Sequence, residues 1–145
     1  MTGMRSTKIA VALGGVLLVT AVIVATNQVA KEGGGHTGGS GAVLVGAQEA
    51  AQIIETDPKV FVVNVHVPYA GEIEGTDAFV PFDEVSDRLD EFPADRSAPV
   101  LLYCRSGRMS ADAGHALLEA GFTHVLDLDG GMVAWESAGF PVATQ

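Results

Sequence analysis

The chain has 145 residues, 48% of them hydrophobic, with eight basic and 18 acidic side chains and a net charge of −10, which gives room for one domain around one modest core. From Glu32 onward five basic residues face all 18 acidic ones, a net −13, so nucleic acid and anionic lipid headgroups are repelled and nucleic acid is excluded as a partner. The single cysteine, Cys104, rules out an internal disulfide and any multi-cysteine metal centre. His36, His66, His115 and His124 show no ligand spacing, so neither a metal nor a cofactor is expected.

Residues 1–8 carry Arg5 and Lys8 and precede an uncharged run, IAVALGGVLLVTAVIVAT, from Ile9 to Thr26. Nothing polar marks a solvent face along it, and its length sits at the lower edge of what spans a bilayer. The run also resembles a long signal-peptide core, but the nearest small-residue sites downstream, around Ala25 and Ala30, are poor for cleavage. An uncleaved transmembrane anchor over 9–27 is therefore expected. Basic residues before it place the N-terminus in the cytoplasm and the rest outside, in a single pass. Secretion after cleavage is the alternative. Residues 28–41, with GGGHTGGSG, read as a flexible tether in which His36 is a solvated linker residue.

From Ala42 the pattern becomes that of a folded domain, 42–145. VLV at 43–45 is a short strand, and AQEAAQIIE puts Ala50, Ile53 and Ile54 on one helical face before Asp57-Pro58 ends it. VFVVNV, 60–65, is a β-branched run suited to a strand covered on both faces. PFDEVSDRLDEF reads as an amphipathic helix with Val85 and Leu89 inward. PVLLY, 99–103, is a second buried strand. SADAGHALLEAG is a helix capped by Ser110, with Ala113, Leu117 and Ala120 inward and Gly121 as its stop. HVLDL, 124–128, is a further strand and GMVAWESAG a last short helix with Trp135 in the core. Strands alternating with helices imply an α/β fold around a parallel sheet.

The chemistry gathers at YCRSGRMS, 103–110, between a strand end and a helix start, the edge of an open α/β sheet where ligands bind. Gly107 frees the turn to aim backbone N–H groups at one point, and the helix N-terminus adds partial positive charge. Arg105 and Arg108 add more if they point inward. Each of these favours a thiolate over a neutral thiol, so Cys104 reads as a nucleophile inside an anion receptor. A buried structural cysteine is the bland alternative, and a sulfur sealed from water would count against the chemistry. A cysteine phosphatase would need arginine six positions on; Ser110 stands there instead.

The loop CRSGRMS, the segment LDGGMVAW at 128–135 and, more weakly, VVNVHVPYAGEIEGTDAFVP at 62–81 together resemble the rhodanese family. The first matches that family's CRxGxxS active-site loop and the second its closing glycine pair and tryptophan. The resemblance implies a five-stranded parallel sheet with helices on both faces. It also implies a sulfurtransferase in which Cys104 carries a persulfide, loaded by a small-molecule or protein-borne sulfur donor such as thiosulfate and discharged to a thiol or cyanide. Arg105, Ser106, Gly107, Arg108, Met109 and Ser110 then form the substrate-binding loop. Where the family has aspartate and arginine, this chain has Asn64 and His66, and Glu72 replaces the usual histidine of a shortened segment. His66 and Glu72 are thus candidates for a position next to the loop. Asp127 and Asp129 either face the cleft or flank the turn after the strand, and the second is expected. A rhodanese-like module used for binding or for redox sensing is the rival reading.

Overall fold

A computed structural model describes residues 41–144. The anchor expected at 9–27 lies outside the described residues, and among the described residues no helix is long and apolar enough to cross a membrane. The expected strands form at Val43–Val45 (β1), Phe61–Asn64 (β2), Val100–Tyr103 (β5) and Val125–Leu128 (β6). Two short strands, Glu72–Ile73 (β3) and Ala78–Phe79 (β4), lie in the 62–81 segment, and Val142–Ala143 (β7) ends the domain. One all-parallel sheet runs β1-β6-β5-β2-β4, and β3 pairs antiparallel with β7 in a separate ribbon. The five-stranded parallel sheet inferred from the family resemblance is present; the ribbon had no signal in the pattern.

Helices α1 (Ala47–Thr56), α2 (Arg108–Glu119) and α3 (Gly131–Ser137) cover the sheet. Alternation along the strands sorts the core into two layers. Val63, Val100, Leu102 and Cys104 pack with Ala113 and Leu117 of α2, together with Val85 and Phe92. Val62, Leu101, Tyr103 and Leu128 pack with Ala47 and Ala50 of α1 and with Met132 and Trp135 of α3. Helices therefore lie on both faces. As expected, Ile53 and Ile54 pack against the second layer, α1 stops at Asp57, and Gly121, at φ +92°, ends α2.

The amphipathic helix expected over 81–92 is instead two short 3-10 turns, Val85–Asp87 and Leu89–Glu91. The inward residues are those anticipated, with Val85 fully buried and Leu89 packed on the core. Phe82 N–H is tied to Val65 O at the end of β2, and Phe92 is anchored in the core ten residues later. Asp83, Asp87 and Asp90 between them favour turns over helix, so the anchors set the path. Arg88 bridges the two turns through Glu84 (3.1 Å) and Glu91 (2.6 Å), exposed pairs that add little stability.

Leu117 is the fully buried centre of the α2 contact. Leu117→Ala is expected to cost about 2–5 kcal/mol, measured by denaturant unfolding of the full chain. A loss under about 1 kcal/mol would mean that α2 is not packed as described.

Candidate active site

Parallel pairing sets the C-terminal ends of β2 and β5 side by side, with Asn64 opposite Tyr103 and Val65 N–H bonded to Tyr103 O at 2.9 Å. The chain leaves β5 at Cys104, turns through Arg105 and Ser106, and enters α2 by way of Gly107. Gly107 has φ +100°, the left-handed conformation that a side chain disfavours, and is the residue preceding the first helical turn. This bend brings Gly107 N–H to 3.0 Å from Cys104 Sγ. The next polar contact is Ser110 Oγ, 3.6 Å from Sγ and 3.1 Å from Gly107 O. Among the described residues, Gly107 supplies the one backbone donor bonded to the sulfur, where the sequence suggested several.

Ser110 is not the helix cap. The helix begins two residues earlier, and Ser110 sits fully buried in its first turn with its hydroxyl turned toward the sulfur. Arg105, Ser106 and Arg108 are exposed at the rim, and neither arginine makes an ion pair among the described residues; Met109 packs partly into the α2 layer. Cys104 itself is only 1% exposed. The sulfur therefore lies closed beneath its own loop, because the Gly107 bend folds the chain back over it. Arg105 lines a cavity of about 220 Å³ with Ala70, Met132, Val133 and Glu136, next to the loop. A larger cleft of about 470 Å³ between α1 and α3, lined by Ile54, Glu74, Trp135 and Phe140, contains no residue of the loop.

The N-terminal turn of α3 closes the site from below. Met132 N–H donates to Cys104 O (2.9 Å) and Val133 N–H to Arg105 O (3.0 Å). Gly131 makes this possible: a Cβ there would lie 2.7 Å from the Arg105 carbonyl carbon. The glycine pair read as a turn device also proves to be a docking surface for the cysteine loop.

Of the residues replacing the family's ion pair, Asn64 is buried and hydrogen-bonded at both ends of its amide. Its Nδ2 donates to Gly71 O (2.8 Å) and its Oδ1 accepts from His66 N–H (2.9 Å), clasping the 66–71 loop, in which the Val67–Pro68 peptide is cis. His66 stands near enough to Arg105 to feel its charge; burial, aided by that guanidinium, holds the imidazole below its usual 6.5, and Nδ1 has no partner. Glu72 lies in the β3–β7 ribbon and accepts a bond from Tyr69 OH (3.1 Å), and among the described residues it forms no ion pair with an arginine. Tyr103, unremarked in the sequence, is fully buried and pins that ribbon: Ile73 N–H donates to its hydroxyl (3.2 Å), which also meets Thr76 Oγ1 at 2.8 Å. Burial pushes its phenol up to about 12.

Asp127 corrects a further expectation. It does not flank a turn but lies inside β6, 2% exposed, between Leu44 of β1 and Leu102 of β5. Burial raises its carboxyl to about 6; the Ser110 hydroxyl beside it opposes that rise and Asp129 adds to it. Alternation alone placed it on the α2 side, but a lone acid in a strand of VLDL gave no sign that it would be interior. A carboxyl with a raised folded-state value is destabilised when charged, so its contribution to stability falls as pH rises from about 4 to about 6 and stays lost above that. Asp127→Asn is expected to flatten this part of the stability–pH curve and to gain up to about 3 kcal/mol at neutral pH. Denaturant unfolding of both proteins from pH 4 to 8 checks it; parallel curves would contradict a buried, raised carboxyl.

Residues 43–138 match the family model for the rhodanese-like domain. A protein named Sulfurtransferase from Allochromatium vinosum is 40% identical over 63 residues, covering 43% of this chain and 57% of its own. The Mycobacterium tuberculosis protein named "Probable adenylyltransferase/sulfurtransferase MoeZ" is 32% identical over 92 residues, 61% of this chain and 23% of its own. The chain thus spans little more than half the length, or less, of the curated relatives it matches. Among solved structures, the solution structure of a rhodanese-like domain from Anabaena superposes with a TM-score of 0.62 at 25% identity, covering 70% of this chain and 79% of that one. A rhodanese-related protein from Thermoplasma volcanium gives 0.59 at 23%, over 70% and 97%, a likeness of fold alone. With the cysteine loop, the glycine-docked helix and the parallel sheet all in place, the chain belongs to the rhodanese-like domain family.

Proposed function

We propose that this protein is a sulfurtransferase that carries sulfane sulfur on Cys104, from a donor such as thiosulfate to a thiol or cyanide acceptor. The observation that carries this reading is the 3.0 Å approach of Gly107 N–H to Cys104 Sγ at the mouth of a parallel sheet. A donor aimed at sulfur stabilises a thiolate, and the same loop can receive the terminal sulfur of a persulfide. In the loading step the Cys104 thiolate attacks the outer sulfur of thiosulfate. The new S–S bond forms as the old one breaks, and sulfite leaves with the bonding pair. The persulfide keeps the single negative charge that the thiolate had, so the receptor serves both states.

Closure of the loop over Cys104 favours a second reading, a rhodanese-like module that binds without turning over. Under the first reading the exposed arc Arg105–Ser106 swings away to admit the donor; under the second it has no such task. Intact mass after incubation with thiosulfate separates them. The expected result is one added sulfur that disappears with cyanide and is absent from Cys104→Ser. No added mass, or a Cys104→Ser variant that still transfers sulfur, would end the sulfurtransferase proposal.

The uncharged run at 9–27, with basic residues before it, further supports a single-pass anchor holding the domain outside the cytoplasm. Protease added to intact cells is then expected to remove the domain, and complete protection would refute that orientation.

A further inference from the structure

The cavity of about 220 Å³ beside the cysteine loop has no task in the loading step. Its walls come from Arg105 of the loop, from Ala70 between β2 and β3, and from Met132, Val133 and Glu136 of α3. Loop and helix are locked together here, since Met132 N–H holds Cys104 O and Val133 N–H holds Arg105 O. The lining carries one full charge of each sign. Arg105 and Glu136 are both exposed, and among the described residues neither forms an ion pair. The other α3 side chains in the wall are apolar: Met132 is buried, and Val133 is 47% exposed.

These charges select the ligand. A plain anion gains from Arg105 but is repelled by Glu136, and the net −13 from Glu32 onward repels it further. A plain cation meets the reverse conflict, and a neutral molecule pairs with neither group. A zwitterion satisfies both and brings no net charge. Size narrows the choice again. The volume falls below the roughly 300 Å³ at which pockets for drug-sized molecules begin, so one amino acid fits and a nucleotide does not.

We propose that this cavity is the acceptor site for a small zwitterionic thiol, an amino acid bearing a sulfhydryl, of which cysteine is the simplest. Arg105 takes the α-carboxylate, Glu136 the α-ammonium, and Val133 with Met132 the methylene between head group and sulfur. Because Arg105 follows Cys104 directly, a head group paired there is held one residue from the sulfur carrier. The proposal rests on the sulfurtransferase reading and supplies its second half. The acceptor thiolate attacks the outer sulfur of the Cys104 persulfide. One S–S bond forms as the bond to Cys104 Sγ breaks, and Cys104 leaves as a thiolate with the bonding pair. The acceptor departs as its own persulfide, and the two negative charges present at the start are present at the end.

The full chain is loaded with thiosulfate, and loss of the added sulfur is timed by intact mass with three acceptors. These are cysteine, 3-mercaptopropionate, which lacks the ammonium, and cysteamine, which lacks the carboxylate. Glu136→Gln is expected to lower the cysteine to 3-mercaptopropionate rate ratio about two- to fivefold, the range of an exposed ion pair. Arg105→Gln should lower the cysteine to cysteamine ratio by a similar factor. Comparing ratios between variant and wild type cancels the intrinsic reactivity of each thiol. A second measurement needs no sulfur transfer. S-methylcysteine, which has no free thiol, is titrated into the unloaded full chain and should shift the Val133 methyl resonances saturably, more weakly in Glu136→Gln. A chain that binds S-methylcysteine in this way but takes up no sulfur removes the transfer reading and keeps the zwitterion site. Normal loading with both ratios unchanged by the variants, or no S-methylcysteine shift at Val133, overturns the proposal.

Discussion

The first turn of α3 rests directly on the backbone of the cysteine loop, and the site depends on that contact. Met132 and Val133 N–H groups take up the carbonyls of Cys104 and Arg105, while Gly131 leaves the space that a Cβ would fill. With those carbonyls held toward α3, the loop can bend through the left-handed Gly107 and turn an N–H back toward Sγ. The two segments are separated by a whole helix and strand in the chain. The sheet brings them together because β5 and β6 are neighbours and both end at the same edge. This is the usual consequence of parallel topology: strand ends distant in sequence share one rim, and chemistry collects there.

The opposite wall is built without an ion pair. Asn64 clasps the following loop through two neutral hydrogen bonds, and Tyr103 reaches from β5 into the ribbon. Neutral bonds suit a position this deep, since a buried charged pair must recover the cost of desolvating both partners. They leave His66, its imidazole held below its usual value and its Nδ1 without a hydrogen-bond partner among the described residues, near Arg105 at the mouth of the site. The rim therefore presents the Arg105 guanidinium beside an imidazole whose protonation is disfavoured, a different surface from the one an aspartate–arginine pair would give.

Closure and charge pull against each other at Cys104. A covered sulfur is protected from the oxidation that an exposed thiolate invites. The same cover removes water that would stabilise its negative form. The Gly107 N–H and the Ser110 hydroxyl stand where that water would be. This arrangement sets dipoles rather than cations against the sulfur, while Arg105 and Arg108 stay exposed to solvent.

Local pattern alone was enough for most elements. The β-branched run at 60–65, the apolar run at 99–103, the glycine at 121 and the 3.6-residue spacing of Ala113 and Leu117 each state their role within a few residues. They do so because strand and helix periodicity are short-range properties of the chain. The cysteine loop was legible for the same reason: strand, Cys104, Gly107 and helix follow one another directly. Tertiary structure decided the rest. The stretch 81–92 has helical periodicity, yet anchors at Phe82 and Phe92 that belong to other parts of the core made it two turns. Glu72 went to a ribbon whose partner strand lies some seventy residues on. Asp127 looked like a turn-flanking acid and became a buried residue of β6, and Cys104, at the sheet edge where ligands bind, is covered by its own loop. Burial and cross-sheet proximity are sums over residues far apart in the chain, so no local window of sequence contains them.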